Sequence, residues 1–481
     1  MKKGSVTIFA LLSLMLVVSA LFALLEAGRF HQIKGLTNLQ TQVALESAFA
    51  EYNTYLWEEY RVLACNQESL SKNIEMYGNQ QIIESNEGIN FFQFRVKEVE
   101  LNQYSRLTDG EGVAFIVNTA DYMEKNILYE AIQNIFDQYE VIKSIQNQSE
   151  YSFSNIEKML EELNHAEVSK EIYKEESLQN ESRVVGAKDS KNLLEFINDL
   201  QKKGILSLVL QEDDVVSEKT FKTTDKVSNR NLPEENHAMI ESVDMNSKVL
   251  FHQYILTYLS NYKDEKQHAM DYEVEYVLVG KDSDVENLKG TISQLMGIRT
   301  ASNFLYLSNN TAKQEQANLL AVSIAGISAS PILIGGIKIA ILTAWAFAES
   351  ILDIRTLLSG GEISLLKKDS NWTLNIDAIT NINEGFLKAK NCDGGLSYKD
   401  YLGILLLLQK DKDIALRTMD VQEQTLRENY KDVSICMEEW ITDATISVKY
   451  GYQPVFFSIQ KIIPSWNYEL RATKSFGYYE G

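Results

Sequence analysis

Residues 1–30 read MKKGSVTIFALLSLMLVVSALFALLEAGRF. Lys2 and Lys3 precede an uncharged, mostly apolar run from Ser5 to Leu25, which closes on Glu26-Ala27-Gly28-Arg29. As a helix, about 20 residues rise roughly 30 Å, the thickness of a bilayer's hydrocarbon core. The stretch therefore predicts a membrane helix. Lys2 and Lys3 favour a cytoplasmic tip under the positive-inside rule, although Arg29 and Lys34 on the far side pull against it. The N-terminal flank is too short to fold, so the folded mass is expected outside the membrane. The expected organisation is a cytoplasmic tip and transmembrane anchor over residues 1–30 and an extracytoplasmic α+β domain over 31–481.

Three fates are open to the segment. The run exceeds the usual 7–15-residue core of a cleaved signal peptide, which favours an uncleaved signal anchor. Cleavage after Val18-Ser19-Ala20 fits the small-residue rule but leaves Leu21-Phe22-Ala23-Leu24-Leu25 as an apolar mature start. A prepilin-like cut after Gly4 would expose Ser5; the glutamate expected five residues after such a cut is Phe9 here. Gly4 and Ser5 are thus the candidate processing residues. Glu26 and Arg29 lie three residues apart on one helix face. They suit either a local ion pair at the bilayer edge or a charge that registers this helix against a partner's membrane helix.

The formal net charge is −21, with 45% hydrophobic and 23% charged residues. An acidic chain is a poor ligand for phosphate backbones and anionic lipid surfaces, so nucleic acid is excluded as a partner. Three cysteines, Cys65, Cys392 and Cys436, allow one bridge but no disulfide framework. No CxxC signals a zinc site.

Beyond the anchor, Leu36, Leu39, Val43, Phe49, Leu56 and Trp57 recur at roughly helical spacing, which predicts a long helix reaching Tyr60. Tyr52, Tyr55, Trp57 and Tyr60 are its expected anchors in the core. Phe92, Phe94 and Val96 alternate as in a half-buried strand, and the phase shift to Val99 and Leu101 predicts a bulge near Lys97-Glu98. A turn at Thr108-Asp109-Gly110 leads to a helix from Val113. Residues 138–236 are polar and read as an insertion with helices at Ile142–His165 and Leu193–Leu210, then an exposed linker. A helix over His237–Tyr262 precedes alternation at Tyr272, Val274, Tyr276 and Leu278, which predicts a strand ended by Gly280. Ser283 and Glu286 form a capping-box pattern for the next helix.

Asn318–Leu358 is a second apolar tract, broken by Pro331 and Gly335-Gly336. Lys338, Glu349 and Asp353 fall close to one helical face, which favours a buried core helix over a bilayer span. Gly360-Gly361 ends it. Trp372, Leu374 and Ile376 suggest a further strand. Helices follow Gly394-Gly395 and cover Ile414–Tyr430; strands are expected around Ala444–Tyr450 and Tyr468–Ala472. The fold class is α+β: an N-terminal transmembrane helix continuing into a mostly helical ectodomain with a small antiparallel sheet.

Catalytic, cofactor and metal signatures are not found. Five histidines lack HxxxH and HExxH spacing, and GxSxG, P-loop and dinucleotide patterns are missing. Ser-x-x-Lys occurs at Ser69–Lys72 and Ser364–Lys367 without the companion Lys-Thr-Gly. Asp282, Asp284 and Glu286 lack the glycine of a calcium loop and suit helix capping. No catalytic role, cofactor or metal is assigned.

Several motifs together resemble a bacterial family of single-pass membrane proteins of unknown function encoded alongside tight-adherence (Tad) pilus genes. They are Lys3-Gly4-Ser5-Val6-Thr7-Ile8-Phe9 with Glu26-Ala27-Gly28-Arg29; Glu51-Tyr52-Asn53 with Leu56-Trp57-Glu58-Glu59-Tyr60; Tyr272-Glu273-Val274-Glu275-Tyr276; Trp345 to Arg355; and Leu396-Ser397-Tyr398-Lys399-Asp400-Tyr401. The N-terminus is similar to Tad pseudopilins, in which an acidic-x-Gly-Arg closes the membrane helix. The resemblance implies a non-enzymatic structural or assembly component of a cell-surface pilus or secretion apparatus. Its partners would be other membrane-anchored pilin-like or assembly proteins and the lipid bilayer, met through the helix and through an acidic or tyrosine-rich surface. The alternative is a membrane-anchored envelope-binding protein unrelated to pili.

Overall fold

The computed structural model describes residues 3–84, 92, 94–126, 141, 204–221, 224–234, 243–326, 329–381, 386–432, 435–455 and 468–478. The helix expected at Ile142–His165 lies outside these residues, as does the part before residue 204 of the helix expected at Leu193–Leu210; the described remainder holds the short helix Ile205–Val209. The chain divides into two units: residues 1–122, 225–244 and 429–481, and residues 123–224 and 245–428.

The first unit is a long helix laid on an antiparallel sheet. Helix α1 (Lys3–Phe49) runs for 47 residues, roughly 70 Å. It is followed by α2 (Thr54–Tyr60), β1 (Cys65–Asn66), α3 (Gln67–Glu84), β2 (Phe94–Arg106) and α4 (Val113–Glu124), with β3 (Trp440–Tyr452) and β4 (Tyr468–Gly477) from the other end of the chain. β3 is central: β2 pairs with it along one edge and β4 along the other, and the two residues of β1 pair with its start. The expected bulge is present, as the β2–β3 register shifts between Val96 and Glu98.

α1 has two halves of different character. All side chains from Val6 to Leu25 are exposed. From Glu26 onward one face is buried, and Ile33, Thr37, Gln40, Thr41, Ala44, Leu45 and Ala48 return every three or four residues toward the sheet and α3. Ala44, Leu45 and Phe49 pack with Phe94, Ile446, Val448 and Tyr450 in one core. The packing face differs from the expected one: Leu36 and Leu39 point to solvent, and the small and polar Thr37, Gln40 and Thr41 face inward. They are tolerated because they are bonded. Thr41 Oγ1 meets the Tyr450 hydroxyl at 2.9 Å, and Gln40 Nε2 donates to the Gly78 carbonyl at 2.5 Å. Small side chains also let the helix approach the sheet closely.

The helix stops at Phe49, short of the expected Tyr60. Asn53 caps α2 by accepting from the Leu56 N–H at 3.0 Å, and this second start breaks the continuity. Of the four expected aromatic anchors only Tyr60 is buried; Tyr52, Tyr55 and Trp57 are intermediate.

The second unit is helical: α5 (Ile205–Val209), α6 (Met245–Tyr258), α7 (Glu273–Val279), α8 (Asp284–Asn309), α9 (Thr311–Ala325), α10 (Pro331–Leu358), α11 (Tyr398–Leu407) and α12 (Asp411–Tyr430). Two expected strands are corrected here. From Glu273 onward the expected strand is the helix α7, with Glu273 to Leu278 all buried, so its alternation records no exposed face. Trp372 and Leu374 are buried in irregular chain, and Ile376 opens a 3-10 turn. Gly335-Gly336 does not break α10, which starts at Pro331 behind its Ser330 cap and runs to Leu358. Helix α11 carries the full capping box between Ser397 and Asp400.

The core of this unit is unusually charged. Arg299 and Asp353 pair at 2.9 Å, and Lys367 bridges Glu349 at 2.6 Å and Asp353 at 2.7 Å, all with essentially no exposure. Arg299 also donates to the carbonyls of Ser364 and Leu365 and to the Tyr401 hydroxyl; Asn303 donates to Asp353. Glu349 accepts from the Thr373 and Leu374 amides at 3.0 and 2.8 Å, which holds the irregular strap in place of a strand ladder. Burial works to raise the Asp353 carboxyl, but Arg299 and Lys367 outweigh it and hold it below the usual range. Two cations and two anions close the charge balance.

Candidate functional site

Two of the sequence-predicted site residues, Glu26 and Arg29, meet where the exposed half of α1 enters the fold. Arg29 follows Glu26 by three residues, so one helix turn places both side chains on the same face. Arg29 Nη1 donates to Glu26 Oε1 at 2.7 Å. Arg29 Nη2 donates to the Gln453 carbonyl at 2.8 Å and to the Phe92 carbonyl. Glu26 Oε2 accepts from the Val455 N–H at 3.1 Å. Phe94 pairs with Tyr452, so Phe92 and Gln453 stand just beyond the same end of the β2–β3 pair. The Phe30 ring lies 6.0 Å from that of Tyr452.

The physical sense of this joint follows from its parts. Main-chain groups just past a strand end have no ladder partner and need another. A guanidinium offers five donors in a fixed fork, enough for a carboxylate and two carbonyls together. The Arg29 side chain is fully buried and that of Glu26 is 11% exposed. Glu26 is thus the first buried side chain after the exposed run of residues 6–25. The arrangement sets the axis and rotation of the exposed helix against the sheet.

Gly4 and Ser5 lie within the first turns of α1. They are remote along the helix from Glu26 and Arg29. The main-chain partners at Phe92, Gln453 and Val455 were not foreseen, because carbonyls and amides carry no residue-type signal.

The discounted motifs have structural places. Lys367 is committed to Glu349 and Asp353, while the Ser364 hydroxyl donates to the Leu366 carbonyl at 2.8 Å, so the serine and lysine do not meet. Asp284 accepts from the Asp271 and Tyr272 amides and from the Ser217 hydroxyl, and Ser283 caps α8 through the Glu286 amide. Among the described residues no group of three or more His, Cys, Asp or Glu is placed to hold a metal ion. His268 Nδ1 meets Glu273 at 2.8 Å, and burial pushes His252 down to about 3; His165 and His237 lie outside the described residues. The three cysteines are unbridged, and burial pushes the Cys65 thiol up to about 12.

The fold and this joint define a helix-headed α+β protein. Its N-terminal helix is long and apolar enough to cross a membrane; the second such helix, α10, is partly buried in its own unit. The chain belongs to a family of unknown function, DUF5702, whose model matches residues 184–452. No curated protein and no solved structure matches it.

Proposed function

We propose that this chain is a non-enzymatic structural or assembly component of a cell-surface pilus or secretion apparatus, with residues 6–25 in the cell membrane and the bulk of the chain extracytoplasmic. The observation that carries this reading is the continuity of α1. Its N-terminal half is apolar and exposed at every position, and its C-terminal half is the packing layer of a four-stranded sheet. A mere tether needs only a linker between anchor and body. A helix locked to its sheet at Glu26 and Arg29 instead fixes the body's orientation on the anchor, which is what lateral assembly with other helices requires. The resemblance of the N-terminus to Tad pseudopilins points the same way.

Pull-down of the full chain from native membranes in mild detergent tests the reading. Pilin-like or assembly proteins are expected to co-purify. Exchange of residues 6–25 for an unrelated apolar span of equal length is expected to lose them, as is Glu26→Ala. Unchanged partners after both changes would count decisively against assembly through this helix. Retention of the span-exchanged chain on cell-wall material would favour the envelope-binding alternative.

A further inference from the structure

Lys367 sits between two carboxyl groups that are held in different ways. Its Nζ lies 2.6 Å from Glu349 Oε1 and 2.7 Å from Asp353 Oδ1, and it donates to the Asn371 carbonyl at 3.2 Å. All three side chains are at most 1% exposed. Both oxygens of Glu349 accept main-chain bonds, Oε1 from the Thr373 N–H at 3.0 Å and Oε2 from the Leu374 N–H at 2.8 Å. The buried Trp345 and Trp372 indoles both donate to the Leu374 carbonyl and hold that residue in place. Asp353 Oδ2 is taken by Arg299 and Asn303. Its Oδ1 accepts no hydrogen bond among the described residues and faces Lys367.

We propose that Lys367 and Glu349 condense to an amide, a self-made cross-link between α10 and the irregular strap that follows it, with Asp353 as the base. A proton on Nζ first passes to Glu349 Oε1, giving a neutral amine and a neutral carboxylic acid. Nζ then attacks Glu349 Cδ, and the Leu374 N–H holds the charge that develops on Oε2. Asp353 Oδ1 takes a proton from Nζ and returns it to Oε1 as the Cδ–Oε1 bond breaks. A C–N bond replaces a C–O bond, one water leaves, and Asp353 ends as the carboxylate it began as. The fold supplies the orientation that such a step needs. Burial raises the Glu349 carboxyl, which favours the neutral acid, whereas Arg299 and Lys367 hold Asp353 below the usual range and keep it an ionised base. Condensation also removes one buried cation and one buried anion, and leaves Arg299 and Asp353 balanced.

Mass spectrometry of the full chain, purified in mild detergent and then denatured and digested, tests the proposal. The peptides that carry Glu349 and Lys367 are expected to be joined, one water below their summed masses, with fragmentation placing the bond at those two side chains. Acetylation in denaturant should modify the free lysines and leave Lys367 untouched. Lys367→Arg is expected to abolish the joined product, and Asp353→Asn, of nearly the same shape, to cut it at least ~10-fold. Separate peptides with an acetylated Lys367 in the unsubstituted chain overturn the cross-link and leave an ion pair in its place. This result stands whether or not the variants fold. An undiminished cross-link in Asp353→Asn overturns the assignment of Asp353 as base.

Discussion

At Arg29 one guanidinium satisfies a carboxylate and two strand-end carbonyls, so its removal strands several buried groups at once. Arg29→Ala is expected to cost about 3 kcal/mol, the scale of breaking a buried pair, and to lower the thermal midpoint of the detergent-solubilised chain. Proteolytic cleavage should then appear between the exposed half of α1 and the sheet. Asp353→Ala removes a deeper partner and leaves one buried positive charge in excess, with Arg299 deprived of its carboxylate while Lys367 keeps Glu349. It is expected to cost about 3–5 kcal/mol, read from denaturant midpoints at constant slope. The Glu26–Arg29 pair was legible from its three-residue spacing. Its anchoring to residues 92, 453 and 455 was not, because those contacts use main-chain atoms far away in sequence.

Helix α7 shows why period alone misassigns a short buried element. Tyr272, Val274, Tyr276 and Leu278 alternate with Glu273 and Glu275, the pattern of a half-exposed strand. Both glutamates are nevertheless buried, because Ser260 and His268 partner Glu273, while Tyr262 and Tyr398 partner Glu275. With every face covered, the polar positions give no information about solvent. The stop signal was sound, since Gly280 ends the helix at φ +74°. A Cβ there would stand 2.7 Å from Arg417 Nε, and Arg417 donates to the Val277 and Leu278 carbonyls at the helix end. Gly280→Ala is therefore expected to destabilise the chain by about 1–2 kcal/mol from the left-handed backbone alone, measured by thermal unfolding. At α10, by contrast, Pro331 reads as a break in the apolar tract and is the first residue of the helix, behind a Ser330 cap.

The pH response of the whole molecule carries a contribution from Glu275. Burial pushes its carboxyl from 4.5 up to about 7. Between those values the folded chain holds a proton that the unfolded chain has released. The stability from this group is full below about pH 4.5 and is lost as pH rises to about 7. Asp353, held below its usual range, acts in the opposite sense and weakens the fold only on acidification. Comparing the unsubstituted chain with Glu275→Gln isolates the first effect: the unsubstituted chain should lose up to ~3 kcal/mol relative to the variant between pH 4.5 and 8. Parallel stability profiles for the two would refute it. The thiols offer a second whole-chain check. Cys65 is expected to stay unlabelled by maleimide in the native protein and to react on unfolding, because it is buried with its thiol held protonated.

The sequence by itself determined the apolar head, the cap at Ser283, the bulge after Val96 and the α+β class. These are local features, written in contiguous side-chain chemistry and its period. Only the tertiary structure decided which face of α1 is buried, that Glu273–Val279 is a helix, and that Lys367 and Arg299 neutralise Glu349 and Asp353. Each of these depends on partners brought from distant parts of the chain. Burial of a polar face is favourable only once those partners are in place, and no local pattern announces them.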